Sequence, residues 1–126
     1  MGKDLQALVR ECVAAGQSNG LNTDLVERFC VTHSLNRTGF YYTFAKHVAL
    51  EFANGELSYS DGDLAMNDLM IFSELEAGKF ATEIFSAFDA GEYYRPEDPP
   101  GTIPWQKYTL PAVMELLNNE GLVPHA

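Results

Sequence analysis

Along most of this chain apolar residues recur at the three- and four-residue spacing of a helix with one buried face. Leu5, Leu8, Val9, Cys12 and Val13 make the first such stripe, with Asp4 placed to cap it and Gly16 to stop it. The polar run Gln17-Ser18-Asn19-Gly20 predicts a turn. Beyond it, Asn22 or Thr23 can cap a second helix that carries Leu25, Val26, Phe29 and Cys30 on one side. Two short helices joined by a polar turn suggest an antiparallel hairpin. A third helix is predicted from Asn36 or Thr38 to Asn54, because Phe40, Phe44, Val48 and Phe52 fall every four residues and Gly55 can supply a left-handed cap. Tyr41, Ala45 and Ala49 widen its stripe, so its aromatic side chains should form the centre of the core.

Leu57-Ser58-Tyr59-Ser60 alternates apolar and polar, a pattern too short to separate a strand from an extended linker. Asp61 or Asp63 then offers an N-cap for a fourth helix with Ala65, Leu69, Phe72 and Leu75 inward, broken at Gly78. A fifth helix is predicted from Lys79 to Ala90, with Phe80, Ile84, Phe85 and Phe88 on one face and Gly91 closing it. Residues 92–104 hold four of the six prolines and predict an irregular surface connection. Thr109 and Pro111 open a last helix with Leu110, Val113, Leu116 and Leu117 apolar, ended by Gly121. The expectation is a compact all-α bundle of five to six helices forming one domain over residues 1–126, with a Pro-rich loop before the last helix.

Composition changes this picture in one respect. The chain has 126 residues, 46% hydrophobic, and a formal net charge of −10. Residues 51–98 contain 12 acids and only two bases, while the remainder is balanced at six and six. All of the net charge therefore belongs to the central segment. Such a field repels phosphate backbones and speeds encounter with cationic surfaces, which argues against a nucleic-acid partner. The start of the chain carries no secretory h-region and no apolar run approaches the roughly 20 residues of a membrane span, so no membrane association is expected. Cys12 and Cys30 lie within helical stripes, as reduced core thiols of a cytoplasmic protein would.

Candidate chemistry is sparse. Cys30 and His33 have the spacing of half a zinc site, with His47 further on, but no second pair completes four ligands, and no metal is expected. Asp61-Gly62-Asp63 fails as a calcium loop, because aligning Gly62 to the invariant glycine puts Leu57 and Tyr59 at the first ligand positions. A turn before a capped helix explains those acids. Ser34, Ser58 and Ser60 lack the strained elbow of a serine hydrolase, and no phosphate loop or dinucleotide fingerprint occurs, so no cofactor is expected.

His47 and Glu51, four apart, could serve as a base with its orienting carboxylate in a small-ligand or enzyme pocket; an exposed i, i+4 pair is the plainer reading. Tyr93, Tyr94, Trp105 and Tyr108 flank the Pro-rich loop, either as anchors for it or as a contact surface. The localised charge favours a module that binds and regulates a basic protein, as inhibitors, antitoxins and immunity proteins do, through Asp61, Asp63, Asp68, Glu74, Glu76, Tyr93, Tyr94 and Trp105. A structural or self-associating domain, for instance a homodimer burying those aromatics, is the alternative from a different class.

Overall fold

The computed structural model describes residues 2–15 and 20–122. Among the described residues six α-helices follow in order: α1 (Gly2–Ala15), α2 (Thr23–His33), α3 (Arg37–Ala53), α4 (Tyr59–Phe72), α5 (Lys79–Ala90) and α6 (Leu110–Asn119). A single π-helical turn, Trp105–Thr109, leads into α6. No strand occurs among the described residues, and the all-α expectation is borne out. The predicted stop at Gly16 and the turn at 17–19 lie outside the described residues.

Helix starts are fixed by side chains that accept the N–H groups left over in a first turn. Asn22 Oδ1 accepts from the Leu25 N–H at 2.9 Å, and Asn36 Oδ1 from the Gly39 N–H at 2.7 Å. For α4 this role belongs to Ser58, whose Oγ accepts from the Asp61 N–H at 3.1 Å. The Asp61 or Asp63 cap is thereby corrected, and residues 57–60 are cap and first turn instead of strand or linker. Asp4 sits within the first turn of α1, complementing the helix dipole instead of capping it.

α3 is the axis of the bundle and packs against each of the other five helices. Phe40, Phe44, Val48 and Phe52 are buried as their period requires, along with Ala45 and Ala49. The aromatic rings continue across helices: Phe29 of α2 meets Phe40 at 5.7 Å, and Phe88 of α5 meets Phe52 at 4.9 Å. Because Phe29 and Cys30 turn toward α3, α2 gives its apolar face to α3 and not to α1, which packs on α3 and α4. α1 and α2 run antiparallel, the start of α1 meeting the end of α2 where His33 Nε2 lies 3.0 Å from Asp4 Oδ2, but a groove of about 440 Å³ floored by Leu8, Leu25 and Phe29 opens between them.

Two further corrections concern helix ends. Leu75, predicted inward, lies past the end of α4 at φ +66° and is 71% exposed. Its N–H reaches the Met70 carbonyl at 2.9 Å, closing the helix with a left-handed turn made without glycine. Thr109 is no cap either. Pro111 has no N–H to return to residue 107, so the chain enters α6 through a wider turn in which the Leu110 N–H bonds the Trp105 carbonyl. Thr109 is buried inside that turn and donates its hydroxyl to the Ala87 carbonyl at 2.7 Å, tying α6 to α5.

The Pro-rich segment 92–104 is fastened from both ends. Tyr108 donates its hydroxyl to Asp98 at 2.6 Å, Lys107 pairs with the same carboxylate, and the Arg95 guanidinium lies 3.6 Å from the centre of the Tyr108 ring. Arg95 also donates to the Ala90 and Tyr93 carbonyls. These bonds make the long connection a strap laid over the α4–α5 end of the bundle.

Candidate functional site

A cleft of about 620 Å³ opens between the first turns of α4, the end of α5 and the strap. Tyr59, Asp61, Asp63 and Asn67 line it from α4, Glu92 and Tyr94 from the strap, and Trp105 from the π turn. The Tyr59 and Trp105 rings stack, 5.9 Å apart and 8° from parallel, and Tyr59 also stacks on Phe88 at 5.8 Å. Tyr59 is fixed at its tip, where its hydroxyl donates to the Phe88 carbonyl at 2.6 Å. Burial, then the Asp63, Glu92 and Asp89 charges and the neighbouring Tyr93, push the Tyr59 phenol well above its usual range, so it stays a neutral donor.

Asp63 is half-buried. Burial first, then the Asp89 charge, raises its carboxyl to about 6. Glu92 is raised to about 7 by burial, by a hydrogen bond to the Asp89 carboxyl, and by the charges of Asp63 and Asp89. No lysine or arginine lines the cleft among the described residues. The cations of the neighbouring strap and π turn are engaged elsewhere, Arg95 with backbone carbonyls and Tyr108, and Lys107 with Asp98.

Of the eight residues predicted for a contact surface, Asp61, Asp63, Tyr94 and Trp105 are brought together here, and Tyr93 stands beside them, 58% exposed. Tyr94 is 82% exposed, whereas Trp105 is half-buried and seals the loop against Phe52, so the aromatic group divides between contact and anchoring. The other three lie outside the cleft. Asp68 falls three residues after Ala65 on the inward face of α4, is buried, and accepts the Cys12 thiol at 2.9 Å. Gly20 closes over it so tightly that a Cβ there would meet Asp68 Oδ2 at 2.5 Å. Burial, and then that bond and the Asp68 charge, push the Cys12 thiol pKa up and hold it protonated. Glu74 and Glu76 are exposed but lie beyond the far end of α4, about 20 Å from its first turn at 1.5 Å per residue. Glu92 and Asp89 were legible only as members of the acidic run; their i, i+3 spacing across the end of α5 was the available signal.

His47 and Glu51 do pair, with Nε2 3.0 Å from Oε1, but not on the surface. Glu51 is buried and holds the Arg10 guanidinium through both of its oxygens, each at 3.2 Å, and the Gln6 amide at 3.2 Å. Burial lowers the His47 pKa despite the Glu51 charge, so the ring is neutral near pH 7. This arrangement spends the carboxylate on joining α1 to α3. Arg10→Ala should leave it buried without its cation and cost about 2 kcal/mol, below the full penalty because Arg10 is itself partly exposed. Urea unfolding checks this; an unchanged midpoint would show that the pair contributes nothing. Cys30 and His33 do not meet as ligands, since His33 turns to Asp4 and packs at a tilt against Phe29, and no metal-binding group forms among the described residues. Both thiols are free.

Comparison with known protein families, curated proteins and solved structures finds no match to this chain.

Proposed function

We propose that the chain is a binding module for a basic protein, and that the cleft between α4, α5 and the strap receives a cationic side chain of that partner. The observation that carries this reading is the lining of the cleft: carboxyls of Asp61, Asp63 and Glu92 set among the Tyr59, Tyr94 and Trp105 rings, with no basic residue beside them. A guanidinium or ammonium entering there gains both opposite charge and aromatic faces, the two features that stabilise a desolvated cation. The surrounding segment carries the whole net charge of the protein, so long-range steering converges on the same region. Neither feature requires a catalytic group. No helix among the described residues is long and apolar enough to cross a membrane, and the free, buried thiols suit the cytoplasm proposed for the complex.

Pentaarginine serves as a probe of the cleft. Asp61→Lys together with Glu92→Lys is expected to weaken its binding about tenfold at low ionic strength and to flatten its salt dependence. Glu74→Lys with Glu76→Lys, at the far end of α4, makes the same change in net charge and should leave binding nearly unaltered. Equal weakening by the two pairs would mean that diffuse charge, not the cleft, attracts the peptide.

A further inference from the structure

We infer that the acidic cleft has an apolar companion, a pocket sharing its Tyr59 and Trp105 wall, which takes a leucine-sized side chain two residues from the cation in the same extended segment of the basic partner. The pocket, about 520 Å³, opens where the end of α3, the turn into α4 and the start of α6 meet. Its apolar surface comes from Phe52, Ala53, Leu57 and Leu110, while Tyr59, Ser60 and Trp105 line it and the cleft alike. The stacked Tyr59 and Trp105 rings are thus a common wall between an acidic space and an apolar one.

No charged residue lines the second space among the described residues. Its polar groups are largely engaged, since the Tyr59 hydroxyl donates to the Phe88 carbonyl and Ser58 Oγ accepts from the Asp61 N–H. A charged or amide side chain entering there gives up its water for two serine hydroxyls, one of them already a helix cap. An aliphatic side chain has no such cost and covers the parts of Ala53, Trp105 and Leu110 that the core leaves open. Gly55 stands at the rim with φ +79° and no side chain, and a Cβ there would meet nothing within 4 Å, so the mouth is unobstructed. The adjoining charge selects the occupant. Asp61, Asp63 and Glu92 hold a cationic segment against the shared wall, so the side chains that reach the pocket belong to that segment. In an extended chain, side chains two apart point the same way at a separation of roughly 6.6 Å, enough to straddle a wall one side chain thick. The pocket's role rests on the docking proposed above, and it narrows the partner from a cation alone to a basic residue with an aliphatic one two positions away.

Two pentapeptides of equal charge, Arg-Arg-Leu-Arg-Arg and Arg-Arg-Ala-Arg-Arg, test this on the full chain, because the central residue lies two positions from an arginine in either direction. By titration calorimetry the leucine peptide should bind about fivefold tighter. Its methyl groups should also show nuclear Overhauser contacts to Leu110 and Trp105, a readout that needs no variant. Ala53→Gln, at a partly buried position, fills the pocket with an amide and should bring the two peptides to equal affinity without changing that of the alanine peptide. Equal affinities for the wild-type chain, absence of the methyl contacts, or a leucine preference that survives Ala53→Gln each overturns the companion pocket. Self-association of the free chain that Ala53→Gln abolishes would assign the pocket to a second copy and overturn it too. The alanine peptide reports docking by itself. If Asp61→Lys with Glu92→Lys fails to weaken it, the docking role falls and the companion pocket with it; if that pair does weaken it and leucine adds nothing, the companion pocket alone is lost.

Discussion

Phe88→Ala is expected to lower stability by about 4 kcal/mol, the upper part of the range for removing a buried ring. Phe88 has no solvent exposure, meets Phe52 at 4.9 Å and underlies Tyr59 at 5.8 Å. On its remaining side the helix α4 comes so near that a Cβ on Gly62 would stand 2.6 Å from the ring. A void there can be filled only by moving α4 or α5, and both are held by α3, so the cavity should persist. The cleft should suffer as well, because Tyr59 loses the face it rests on. Chemical denaturation of the purified variant gives the number, and a loss below about 1 kcal/mol would mean that the site collapses freely.

The second large effect is expected at Gly91. Its φ is −84°, which any residue adopts, so the glycine is required by space and not by backbone conformation. A Cβ would lie 2.2 Å from Thr109 Oγ1 and 2.9 Å from the Trp105 Cα, and the second of these is backbone that no rotamer can move aside. Gly91→Ala must therefore part the end of α5 from the π turn, breaking the Thr109 to Ala87 hydrogen bond and shifting Trp105 from Tyr59. A loss of about 3 kcal/mol is expected, from overpacking and an interrupted buried bond together. Thr109→Ser should cost far less, since it keeps the hydroxyl. If Gly91→Ala leaves both the melting temperature and Trp105 fluorescence unchanged, the close approach is not what fixes the strap.

The helices were legible because their signal is periodic and redundant. Four phenylalanine and valine positions of α3 repeat every fourth residue, and α5 is bounded by Gly78 and Gly91, so α5 runs from Lys79 to Ala90 as its pattern predicts. What failed depended on single contacts. Asp68 is an acid by type, and its place inside depends on contacts such as the thiol of Cys12, 56 residues away. Ser58 sits three residues before Asp61, a cap spacing hidden by the alternation of its neighbours. The cleft was half visible. Asp61, Asp63, Tyr94 and Trp105 could be chosen from charge and residue type, but their separation from Glu74 and Glu76 follows from the length and direction of α4, which charge counting ignores. The place of Glu92 in the cleft opposite Asp63 depends on how the chain leaves α5, and no pattern records that turn.

The π turn before α6 gives the strap a particular mechanical character. A turn closed between residues five apart takes in one residue more than an ordinary helical turn, and here it does so at the place where the strap rejoins the bundle. That residue is slack wound onto a spool. Letting it out or taking it in would change the length of the strap without disturbing Val113 and Leu117, which anchor α6 in the core. Trp105 rides on the rim of that spool, so the wall of the cleft and the length of the strap are set by the same few hydrogen bonds.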